Sequence, residues 1–269
     1  MQCGSLKLLA PLMVVVVFLC GCATPGPHAW GEEVSFAPGT QRLRDAANSA
    51  VRSTRVWVPL AGAALLQING WDRKVSDWAR ENTPVFGSEH NASDWSDRLE
   101  IASAVSYFAT ALATRGPEDP DAWWRDKGRG LAVGLGAIAC TGAATTMLKY
   151  ATGRTRPNGD STESFPSGHT SFAAVTTGLA SDNLRDIDLS NGVRRGLVLG
   201  LDSLTISTAW SRVEAGAHFP ADTLAGMALG YFFSAFADDA FLHGASDRRV
   251  ALTLVPVRGG AELQWQLAY

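Results

Sequence analysis

Apolar residues recur at helical spacing along most of this chain. The periodicity predicts helices over 55–68, 72–82, 97–114, 129–151, 168–183, 194–211 and 220–241, most with Gly or Pro near an end. Residues 23–50 open polar and rich in Pro and Gly, then become weakly helical. The period changes at the tail. Leu263, Trp265 and Leu267 alternate with Glu262, Gln264 and Gln266, and Arg258-Gly259-Gly260 separates this run from Val250–Val257. Residues 248–269 therefore read as a β-hairpin, with Pro256 placing the first strand at an edge. The expected fold is all-α: a helical bundle with a short C-terminal β-hairpin.

Uncharged runs decide whether such helices cross a membrane. A span needs ~20 mainly apolar residues. Asn69-Gly70 interrupts 57–72, Asp202 divides 194–211, and Asp238-Asp239 ends 223–237. Only 130–148 comes close, and the mean hydropathy of the chain is +0.02. The pattern favours a water-soluble bundle, with an integral membrane bundle as the alternative. In the loop 115–128, Trp123-Trp124 stand beside Arg125, Lys127 and Arg129. Such a pair suits a bilayer interface, but the expectation is that it caps the core.

The N-terminus changes the picture of location. Lys7 precedes an uncharged run from Leu8 to Cys20, about as long as a secretory signal core. It ends in Leu19-Cys20-Gly21-Cys22, which resembles a bacterial lipobox. Residues 1–21 are then a lipoprotein signal peptide, with lipid on Cys22. Residues 22–54 form a tether and N-terminal segment, and 55–242 the bundle. The location implied is the bacterial cell envelope, as a periplasmic domain held on a membrane, the outer one favoured. Cys140 would be the remaining free thiol, read as a small buried helix residue. With 269 residues one core is the default, and a net charge of −3 gives no sign of a nucleic-acid partner.

Three segments carry the candidate chemistry. They are Lys149 to Arg156-Pro157, then Pro166-Ser167-Gly168-His169, then Ser211-Arg212 through His218 to Asp222. In the second, Pro166 suits a helix start, whose free backbone N–H groups form an anion site. Gly168 lets a phosphate approach, Ser167 adds a hydroxyl donor, and His169 can give a proton to a leaving oxygen. In the first, Lys149 supplies a point charge and Arg156 a bidentate fork, swung in from a loop. Arg154 lies between them, off this pattern. In the third, Gly216 permits a turn before His218, and Pro220 starts a helix with Asp222 in its first turn. Asp222 is expected to reach back to His218, fix its tautomer and stabilise the imidazolium. The free nitrogen of His218 would attack phosphorus, with Arg212 clamping the transferring group. Glu214 could pair with a clamp arginine or face solvent. His28, His90 and His243 lack such a context and read as structural or solvated.

The ordered triplet resembles the type 2 phosphatidic acid phosphatase superfamily, which also contains bacterial class A acid phosphatases and vanadium haloperoxidases. The resemblance covers roughly 55–242. It implies a helical bundle that hydrolyses phosphomonoesters or pyrophosphates without a metal or other cofactor, through a phosphohistidine on His218. His169 is then the general acid and Asp222 the orienting residue. Lys149, Arg156, Ser167, Gly168 and Arg212 bind phosphate. Only eight residues separate Pro157 from Pro166, fewer than in many members, which affects the loop over the site. A membrane anchor makes lipid phosphates the favoured substrate class. The alternatives are a vanadate-dependent haloperoxidase and a catalytically inactive envelope lipoprotein.

Overall fold

A computed structural model describes residues 29–243, together with the backbone of 250–257 and 260–267. The expected signal peptide, Cys22, His28 and Arg258-Gly259 lie outside the described residues.

Among the described residues eight α-helices follow one another: α1 Thr40–Arg52, α2 Thr54–Leu66, α3 Trp71–Asn82, α4 Glu89–Ala113, α5 Pro120–Thr152, α6 Gly168–Asn183, α7 Asn191–Glu214 and α8 Pro220–Ala237. A π-helical turn, Asp238–Leu242, continues α8. Residues 250–257 and 260–267 run as two antiparallel strands. The fold is helical, as the periodicity predicts.

Two helices begin earlier than the apolar pattern does. The Ser88 hydroxyl accepts from the Asn91 N–H and starts α4 eight residues ahead of the expected 97. Asp119 caps α5 in the same way, with Pro120 at the first helical position. Those first turns are polar, so apolar periodicity does not reveal them. The stretch 115–128, read as a loop, is thus mostly helix. Trp123 is half-buried over the Lys127 ammonium, whereas Trp124 is exposed, so only one of the pair covers the core. Cys140 is exposed rather than buried, a correction to the expectation, because it lies on the outer side of α5.

Helices α6 and α8 form the centre, with α2, α4, α5 and α7 around them. Small residues let α6 and α8 approach. A Cβ at Gly230 would stand 2.3 Å from the Ser171 carbonyl oxygen, and one at Gly226 2.6 Å from that of Ser167. Hydroxyl pairs tie α6 to its other neighbours. Ser171 meets Thr145 of α5 at 2.9 Å, Thr176 donates to Ser103 of α4 at 3.0 Å, and Thr177 meets Thr205 of α7 at 2.7 Å. Near the far end, Asn183 Nδ2 donates to Thr110 of α4 at 3.2 Å.

The antiparallel order brings the C-terminal ends of α5 and α7 to the same end of the bundle as the N-terminal ends of α6 and α8. Lys149 and Arg212 occupy those C-terminal turns, where the helix dipole favours cations. All three chemical segments meet there.

Candidate active site

The site is knitted from two loops. Asn158 N donates to the Gly216 carbonyl, and Ser167 N to that of Asp222, both at 3.0 Å. Gly216 has a φ of 65°, which makes the turn ahead of His218. Ser167 caps α6, its hydroxyl oxygen accepting from the Thr170 N–H. A Cβ on Gly168 would meet no atom within 4 Å, so space stands open in front of that turn.

His218 is buried, and its Nδ1–H donates to the Ser164 carbonyl oxygen at 2.6 Å. That bond fixes the tautomer and leaves the Nε2 lone pair free. Burial pushes the imidazole well below its usual range, and Arg212, Lys149 and Arg156 push the same way against the Ser164 bond. His218 is therefore neutral near pH 7, the state a nucleophile needs.

Asp222 does not hydrogen-bond to His218, which corrects the expected direct contact. Its Oδ2 accepts from the Ser164 hydroxyl at 2.5 Å and from the Phe219 N–H at 2.9 Å. Its Oδ1 takes Arg154 at 2.5 Å. The first turn of α8 points this carboxylate at its own N-terminus, where the Phe219 N–H requires an acceptor. Asp222 thus reaches the imidazole through Ser164: its carboxylate holds the Ser164 side chain while the Ser164 carbonyl holds the ring. Burial raises Asp222, opposed by Ser164, Arg154 and the Phe219 N–H. Arg154, off the sequence pattern, also pairs with Asp72 of α3 at 2.6 Å and covers the Phe219 ring.

Cations gather around this core, with Glu163 4.0 Å from Lys149 and with Asp97 and Glu100 acting on Arg212. Arg156 makes no side-chain hydrogen bond among the described residues, and its Nε is buried and unpartnered there. Arg212 gives one bond, to Ser96 at 2.8 Å, and its Nε is likewise unpartnered. Burial lowers Lys149, and Arg156 lowers it further. Burial and Arg156 also lower Arg212. Lys149 Nζ donates to the Glu163 carbonyl at 2.6 Å.

His169, at the start of α6, faces a different wall. Its Nε2 lies 2.9 Å from Asp97 Oδ1 and 3.1 Å from Glu100 Oε2, both on α4. Neither carboxylate, nor Ser96, belongs to the three sequence segments. The signal available was their grouping at 96, 97 and 100 on the polar start of an otherwise apolar helix. Glu214 neither pairs with an arginine nor faces solvent. It is buried and accepts from the Val85 and Phe86 N–H groups and from Trp210, so it fixes the loop before α4. His90 is exposed, and His243 pairs with Asp186 and Asp238 at the opposite end.

Residues 130–239 match the PAP2 superfamily. Among solved structures, the chain is similar to the crystal structure of the first transmembrane PAP2 type phosphatidylglycerolphosphate phosphatase from Bacillus subtilis. Sequence identity is 21%, covering 69% of this chain and 92% of that one, with a TM-score of 0.47. No curated protein matches.

Proposed function

We propose, from the match of residues 130–239 to the PAP2 superfamily, that the chain is a phosphatase working through a phosphohistidine on His218. One observation carries the reading. Lys149, Arg156 and Arg212 converge beside a neutral imidazole, with buried guanidinium nitrogens left unpartnered. A phosphoryl group supplies acceptors for those nitrogens.

The steps follow from the groups present. His218 Nε2 attacks phosphorus in line, and the bond to the leaving oxygen breaks. His169 gives that oxygen a proton, so an alcohol or a phosphate departs. Water then attacks the phosphohistidine while neutral His169 takes its proton, and inorganic phosphate leaves. The clamp stabilises charge on the equatorial oxygens in both halves.

A lipid phosphate is the substrate class this reading favours, because the flanks of the bundle suit lipid. Charge-free stretches 56–71, 101–114 and 130–148 cover most of α2 with the turn after it, the second half of α4 and the middle of α5, and every site group lies outside them. Along with α7, these helices expose Leu65, Ile101, Phe108, Leu135, Met147 and Ile206. Large apolar flanks of this kind mark membrane or partner surfaces. Exposed tryptophans stand at both ends, Trp71, Trp78 and Trp95 beside the site and Trp124 opposite, as at bilayer interfaces. Helix α5 is long and apolar enough to cross a membrane, and its apolar window is only 28% buried. The alternative set aside by the sequence pattern, an integral bundle, is thus the one this surface favours.

Hydrolysis of an aryl phosphate by the purified protein, and its loss in His218→Ala, is the expected result. Full activity in that variant rules out the mechanism. Phosphatidate in mixed micelles should be cleaved through the same histidine.

A further inference from the structure

His169 and His218 are held by opposite nitrogens. The Nδ1 of His218 is tied to a backbone carbonyl, which leaves Nε2. The Nε2 of His169 is tied to two carboxylates, which leaves its Nδ1 without a hydrogen-bond partner among the described residues. A nitrogen 2.9 and 3.1 Å from two carboxylate oxygens must share a proton with them, or a lone pair would face two anions.

We propose that Asp97 and Glu100 of α4 are positioning residues for proton transfer: they keep a proton at His169 Nε2 and turn Nδ1 toward the leaving oxygen. This rests on the phosphatase reading above. In the imidazolium, Nε2–H is donated to the carboxylates and Nδ1–H to the leaving oxygen. Once the Nδ1 proton has moved, the neutral ring keeps Nε2–H. The Nδ1 lone pair is then the base that takes a proton from water in the second half. Both halves use one nitrogen, and the ring need not turn over.

Charge supports the same assignment. The charged groups acting on His169 are Asp97 and Glu100 from α4, Arg212 from α7 and Arg156 from the loop after α5. Burial lowers His169, and Arg212 and Arg156 lower it further; Asp97 opposes them. Without the α4 carboxylates an imidazolium would face two guanidinium groups alone. Burial, then Asp97, raises Glu100 to about 7, against Arg212. Glu100 therefore gains its negative charge as pH rises through neutrality, where that charge helps His169 keep its proton. Both carboxylates come from outside residues 130–239, so the family segment does not contain them.

The test compares wild type with Asp97→Asn/Glu100→Gln on two substrates across pH. An alkyl phosphate needs its leaving oxygen protonated, whereas a nitrophenyl phosphate hardly does. The double variant should lose about tenfold or more in kcat on the alkyl ester at neutral pH, but under about threefold on the nitrophenyl ester. The alkaline limb of its profile should move to lower pH by about one unit. Imidazole NMR of the full-length protein should show His169 titrating lower in the variant. Equal losses on both esters, or an unchanged His169 titration, would overturn the proposal. If wild type hydrolyses neither ester, the phosphatase reading fails by itself, and the NMR titration still decides whether the α4 pair holds the His169 proton. Should the double variant not fold, Asp97→Asn alone replaces an exposed side chain and must shift the His169 titration in the same direction.

Discussion

Asp222 shows how a side chain can serve an imidazole without touching it. The carboxylate holds the Ser164 hydroxyl, the Phe219 N–H and Arg154, while the Ser164 carbonyl holds His218. Asp222→Ala should therefore cost activity and stability together. Thermal unfolding should report a loss of about 3 kcal/mol, as buried donors lose their acceptor. A fall in kcat with an unchanged unfolding midpoint would instead mean that Asp222 acts on His218 alone. The sequence makes the two residues visible at a spacing of four, with Asp222 in the first turn of α8 and His218 just before that helix. It cannot show which acceptor the ring finds, because the winner is a backbone carbonyl 54 residues away. Arg154 lies off the sequence pattern for a similar reason. Its value lies in Asp72, 82 residues earlier, and nothing local to either residue announces the pair.

At the scale of helices, glycine does two different jobs in the site. Gly168 faces open space, while Gly226 lies against the Ser167 carbonyl. Gly168→Ala should leave unfolding unchanged and raise KM severalfold, because its methyl enters the room left for phosphate. Gly226→Ala should lower the unfolding midpoint and kcat together, since the methyl forces α8 away from the start of α6. Equal effects from the two would contradict this division. Periodicity made α2, α3, α6, α7 and α8 legible to within a few residues, because their apolar faces pack on neighbours. The first turns of α4 and α5 were not legible. Capping by Ser88 and Asp119 starts those helices in polar sequence, and the polar start of α4 is what brings Asp97 and Glu100 to His169.

For the whole molecule, the question is whether lipid merely tethers the bundle or surrounds it. The exposed flanks of α2, α4, α5 and α7 argue for the second. Replacing Cys22 with Ser removes the proposed lipid attachment. The Cys22→Ser protein should still sediment with membranes, resist alkaline carbonate and dissolve in detergent. Release by carbonate would show a tethered soluble domain. Hydropathy hid this surface. Averages over the chain mix the outward faces of four helices with the charged ends and the small, hydroxyl-rich interior. Only the folded arrangement separates them.

The hydroxyl pairs along α6 acquire another meaning in that setting. Ser171, Thr176 and Thr177 each meet a different helix, and Asn183 adds a fourth bond near the far end. In hydrocarbon no water competes for these groups. Sliding α6 by one turn would break all four bonds at once. The helix that carries His169 is therefore an axle keyed to its housing, and movement that admits a bulky substrate is expected from the outer helices.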